Sequence, residues 1–140
     1  MGEFTRDPTH WLRRLSPDEW IRAALAEVTR AERAWQEGDA RAGAAGVKRA
    51  AGMALNAALL VQPEDGWGRT YVEHLQALAK DPQVPEAVRS ASARVLQAKA
   101  PSGQIVNLRT PREHTEAVEA ARDVIAHAWA VVKKHESLRG

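Results

Sequence analysis

RAGAAGVKRAAGMALNAALLV, residues 41–61, is the stretch that decides the fold. Its alanines and leucines favour helix, yet Gly43, Gly46 and Gly52 each cost about 1 kcal/mol relative to Ala in a helix interior. Close approach of a neighbouring backbone offsets such a cost. The spacing therefore predicts a central helix over about 40–61 whose neighbours come unusually near. Pro63 and the Gly66-Trp67-Gly68 turn stop it.

Upstream, Ser16-Pro17-Asp18-Glu19 is a capping box. The Ser16 hydroxyl can accept from the Glu19 amide, Glu19 can reach back, and Pro17 sits where its missing donor costs nothing. Ile21, Ala24, Leu25, Val28, Ala31 and Trp35 then repeat at the helical period and predict one buried face. Gly38 ends this helix and Asp39 can cap the next. Residues 1–15 read as an N-terminal extension with a short helix that packs Trp11, Leu12 and Leu15 on the rest.

Downstream, Tyr71, Val72, Leu75, Leu78 and Ala79 mark a shorter helix ending near Asp81-Pro82. Another begins around Pro85 and carries Val88, Ala91, Val95 and Leu96. Thr110-Pro111-Arg112-Glu113 is a second capping box. It opens a last helix running to about His135, with Ala117, Val118, Ala121, Val124, Ile125, Ala128 and Val132 on one face. Connections other than 99–109 are short, which favours antiparallel neighbours. The expected fold class is all-α, an up-and-down bundle of four to five helices, with 16–136 forming one domain.

Composition narrows the function classes. Only 5% of the 140 residues are aromatic, so the core must depend on close helix approach rather than bulky filling. The absence of cysteine excludes disulfides and thiolate metal sites. Neither an apolar run of the roughly 18 residues that a membrane span needs nor a signal-like N-terminal stretch is seen, so no membrane is expected and a cytoplasmic location is the default. The net charge of +2, with both signs mixed along the chain, gives no basic face of the kind nucleic-acid binders concentrate.

The order of several short segments is familiar. Trp35 to Asp39 closes the first helix with Gly-Asp, and Lys48 to Leu55 reads KRAAGMAL in the second. Trp67-Gly68 leads to His74-Leu75 and Leu78, then Val84-Pro85-Glu86 opens a helix. Arg109-Thr110-Pro111 precedes Glu116 to Ala121. In this order the chain resembles the HEPN domain over residues 18–135. The resemblance implies a helical bundle that usually dimerises. It implies one of two roles: a non-catalytic nucleotide- or partner-binding module, often beside a nucleotidyltransferase, or a metal-independent RNase of toxin or defence type.

The RNase branch carries Arg, four to six residues, then His. Arg122-Asp123-Val124-Ile125-Ala126-His127 fits, with a polar residue directly after the Arg. His127 would act as general acid or base and Arg122 would hold the scissile phosphate. At 100° per residue, however, the two lie about 140° apart on one helix, so they would converge only between subunits. For ligand binding, Lys99, Asn107, Arg109 and Arg112 lie in or beside the longest loop, and Lys48 and Arg49 on the central helix could face a groove. Where the resembled family often has Arg-Tyr-Pro, Thr110 replaces the aromatic. No histidine–carboxylate spacing forms a metal set, and no cofactor is expected. The preferred function is a non-catalytic HEPN-like homodimer that binds a nucleotide or a partner protein, with a nucleotidyltransferase or RNA as candidate partners; an RNase using Arg122 and His127, or an interaction module without ligand, are the alternatives.

Overall fold

The computed structural model describes residues 4–99 and 111–139. Within them the chain is all-α, built from α1 (Pro17–Gln36), α2 (Ala40–Val61), α3 (Tyr71–Lys80), α4 (Glu86–Gln97) and α5 (Pro111–Arg139). One 3-10 turn, Asp65–Trp67, precedes α3, and no strand occurs among the described residues.

The capping box of α1 forms as its sequence requires. The Glu19 amide donates to Ser16 Oγ at 3.2 Å, and the Ser16 amide donates to Glu19 Oε1 at 2.8 Å. At the other end Gly38 takes φ +87°, which L side chains rarely adopt. That conformation lets the Gly38 amide reach the Trp35 carbonyl at 3.0 Å and the Asp39 amide reach the Ala34 carbonyl at 2.8 Å, a Schellman closure. Asp39 then caps α2 by accepting from the Ala42 amide at 3.0 Å. Two helices are thus folded back to back by three consecutive residues, Glu37, Gly38 and Asp39.

The glycines of α2 explain how close that hairpin is. A Cβ at Gly43 would stand 2.5 Å from the Trp35 ring, and one at Gly46 would stand 2.7 Å from the Ala31 Cβ. A Cβ at Gly52 would run into Tyr71 at the start of α3. As the glycine cost implied, α2 is central: it packs against α1, α3, α4 and α5. Its 22 residues are long and apolar enough, by length and composition, to cross a membrane, which corrects the expectation that no such run exists. Two-thirds of that apolar window (67%) is buried inside the bundle, because Ala and Gly are used for close contact between helices.

Two details depart from the sequence reading. Leu25 is 47% exposed, whereas Trp20 is fully buried. The buried stripe of α1 runs through Trp20, Ala24, Val28, Ala31 and Trp35, and Leu25 falls beside it. Residues 8–15 form a run of turns, not a helix. Asp7 Oδ1 accepts from the Thr9 amide at 3.0 Å and His10 Nδ1 from the Leu12 amide at 3.0 Å, so side chains take the donors that a helix would need. The Trp20 indole N–H donates to the Leu12 carbonyl at 2.9 Å and fastens this segment to α1. Thr110 of the second capping box lies outside the described residues.

Candidate functional site

Arg122 and His127 leave α5 toward different neighbours. The Arg122 guanidinium points to α1, where Nη2 meets Glu32 Oε1 at 3.2 Å with both side chains about 40% exposed (42% and 41%). His127 is half-buried on the side of α5 that faces α2 and α3, in a groove lined by Leu78, Asp81, Val84, Gln62, Glu64 and Trp67 among others. The structure does not bring the two together within the chain.

The electrostatics of the His127 groove are informative. Its described lining contains two carboxylates, Glu64 and Asp81, and no Lys or Arg. Burial pushes the His127 imidazole below its ordinary value, and the Asp81 carboxylate offsets only part of that. A neutral imidazole suits a general base, but phosphodiester cleavage also needs positive charge on the phosphate oxygens. Here both formal charges in the described lining are negative and would repel such a substrate.

The residues expected to hold an anionic ligand are distributed over several places. Arg49 bonds to Glu27 across the α1/α2 hairpin, its Nε 2.6 Å from Glu27 Oε2, while Arg30 Nη2 holds the other oxygen at 2.5 Å. Glu27 is almost completely buried. Burial alone would raise its pKa, but the hydrogen bonds from Arg30 and Arg49 outweigh it and keep the carboxyl below the usual range. Arg49 is therefore a structural clasp. Lys48 beside it is half-buried on the same helix.

Lys99 is exposed and borders a groove of about 250 Å³ where α4 ends and α5 begins, with Trp35 and Arg94 in its wall. Arg112 is exposed and pairs with Glu116 at 3.4 Å, and Arg94 reaches the same carboxylate at 3.1 Å. The Trp35 ring in this groove is covered by His114, stacked at 4.7 Å with 10° between planes, so that face cannot take a base. Asn107 and Arg109 lie outside the described residues. Among the described residues, no three His, Asp or Glu side chains converge as a metal site.

Sequence reasoning missed a buried polar pair. His74 is fully buried, with Nδ1 2.8 Å from the Trp67 carbonyl and Nε2 2.8 Å from the Asn56 side-chain amide. Burial lowers its pKa, against the raising effects of the Trp67 carbonyl and Glu73. The atom facing Nε2 is Asn56 Oδ1, so both ring nitrogens meet acceptors; a neutral ring donates to one of them and bonds both only when the Asn56 amide exchanges its oxygen and NH2. The Trp11 and Trp67 rings flank this histidine, with centroids 5.9 and 6.3 Å away. No sequence signal ties Asn56 to His74, since their meeting depends on how α2 and α3 cross.

The other unforeseen feature is the outer face of α1 and α5. Glu32–Arg122 at 3.2 Å and Asp18–Lys133 at 3.5 Å set these helices antiparallel. Between those two ion pairs lie Leu25 and Trp129, 47% and 49% exposed, with Ala126 and Ala130 also open. The chain matches no protein-family model, no curated protein and no solved structure.

Proposed function

We propose that this chain is a non-catalytic helical module of the HEPN type that acts in the cytoplasm by binding protein, rather than by cleaving RNA or holding a nucleotide. One observation carries this reading. The two residues of the RNase pattern are committed to opposite sides of α5, Arg122 to Glu32 and His127 to a groove whose formal charges are both negative. The HEPN assignment itself rests on the ordered segments from Trp35 to Ala121, with an Ala-rich central helix among them.

Nucleotide binding is disfavoured on the same physical grounds. Arg49, Arg94 and Arg112 each face a carboxylate already, so a phosphate would have to displace an existing ion pair. What the surface offers instead is a face of two helices carrying an exposed Trp and Leu between polar rungs. Trp is the side chain that most often dominates protein–protein contacts.

Calorimetric titration with nucleoside triphosphates and with single-stranded RNA tests this reading. It expects no saturable heat with either. A stoichiometric nucleotide isotherm, weakened in Lys99→Ala or Arg112→Ala, would replace it.

A further inference from the structure

We infer that a second copy of this chain covers the α1/α5 face, with α1 of each copy lying against α5 of the other and Leu25 of one packed on Trp129 of the other. The inference rests on the protein-binding reading above and names the partner. Its geometry follows from the positions of four charges and two apolar side chains.

On α1, Asp18, Leu25 and Glu32 are seven residues apart and so share one face of the helix. On α5, Arg122, Trp129 and Lys133, spaced seven and then four residues apart, also share one face. The ion pairs Asp18–Lys133 and Glu32–Arg122 put Leu25 level with the stretch 126–129. The face is therefore a rectangle: acids near both ends of α1, bases at both ends of the 122–133 stretch of α5, and an apolar centre on each.

A twofold axis can lie in such a face in two ways. With the axis across the helices, α1 meets α1 and α5 meets α5. Asp18 then opposes Glu32, and Arg122 opposes Lys133, so every polar contact is between like charges. With the axis along the helices, α1 meets α5. Asp18 then opposes Lys133, Glu32 opposes Arg122, and Leu25 opposes Trp129 at both symmetric positions. Each existing ion pair then faces its symmetric copy, with Glu136 also on Lys133 at 3.2 Å, and the four helices alternate in direction.

The available area suits a reversible dimer. The 20 residues of α1 span about 30 Å, and two helices side by side are roughly 20 Å wide, which gives on the order of 600 Å² per subunit. That is near the lower bound for a specific interface. Ala126 and Ala130 are the small residues that let the facing helix settle beside Trp129. His127, on the α3 side of the helix, stays outside this seam.

The chain has no cysteine, so single cysteines report contacts cleanly. Asp18→Cys and Lys133→Cys proteins, mixed at equal concentration under mild oxidation, are expected to form a disulfide-linked heterodimer. A mixture of Asp18→Cys and Glu32→Cys is expected to give none, and preferential linkage there would overturn the geometry. In sedimentation equilibrium the wild type is expected to dimerise reversibly. Trp129→Ala, at an exposed site and expected to keep the wild-type circular dichroism, is expected to raise the dissociation constant by about tenfold or more. A wild type that is monomeric at all concentrations would overturn the inference while leaving the non-catalytic reading standing. A dimer with the predicted cross-links that cleaves RNA would do the reverse.

Discussion

Gly46 of α2 lies against Ala31 of α1 so closely that a Cβ at position 46 would stand 2.7 Å from the Ala31 Cβ and 3.3 Å from its Cα. Backbone cannot swing aside as a long side chain can. Gly46→Ala is expected to destabilise the protein by about 1–3 kcal/mol, although Ala is the better helix former, because overpacking outweighs the propensity gain. Gly66, where a Cβ would meet nothing within 4 Å, is the control. Urea unfolding of the two variants should give a clear loss for the first and little change for Gly66→Ala.

Glu27 is a buried carboxylate whose worth depends on two guanidinium groups. Glu27→Ala is expected to cost about 1–3 kcal/mol, since it removes charge-assisted hydrogen bonds between α1 and α2. The Arg49 and Arg30 side chains are 47% and 63% exposed and can recover water, which keeps the loss from being larger. Arg49→Ala should lower stability in the same range, measured by urea unfolding. An Arg49 variant with unchanged stability would show that the clasp contributes nothing.

The buried histidines set a pH dependence. Burial holds His74 and His127 below the ordinary value of 6.5, so between that value and their folded-state values the unfolded chain binds protons that the folded chain does not. Stability is therefore full above about pH 6.5 and falls as the pH drops below it. Glu27 adds a separate loss at lower pH, because its folded-state pKa is depressed below 4.5. Unfolding free energies measured from pH 8 to 5 should decline toward the acid end. A flat profile, or a rise, would mean that His74 is protonated in its site.

Much of this architecture was legible because local chemistry decided it. The Ser16–Glu19 box, the Gly38 stop and the glycines of α2 each solve a backbone problem within a few residues, and each forms as its spacing implies. Thr70-Tyr71-Val72-Glu73 carries the same capping signal for α3, and the Glu73 amide donates to Thr70 Oγ1 at 3.1 Å. Leu25 falls within the helical period of the apolar residues, but its position lies on the edge of a stripe centred on Trp20 and Ala24. The candidate site was less legible. Arg49 meets Glu27 22 residues away, and Arg122 meets Glu32 90 residues away. Such pairings belong to helix packing, which sequence periodicity leaves open.

Asn56 is predicted to matter through its amide. Asn56→Leu would leave the buried His74 Nε2 without a partner and should cost about 1–3 kcal/mol in urea unfolding at pH 8. Asn56→Asp would place a carboxylate 2.8 Å from that nitrogen and favour the charged imidazole. Its stability profile should therefore fall less, or rise, toward pH 5 where that of the wild type falls. Identical profiles would contradict the neutral His74 inferred from burial.

Cleavage of a mixed RNA substrate in chelator-containing buffer tests the central claim most directly, comparing the wild type with His127→Ala and Arg122→Ala. The divergence of Arg122 and His127, and the Glu64 and Asp81 carboxylates beside His127, predict that all three proteins are equally inert. A clear wild-type activity lost in both variants would contradict the account and make this bundle a nuclease.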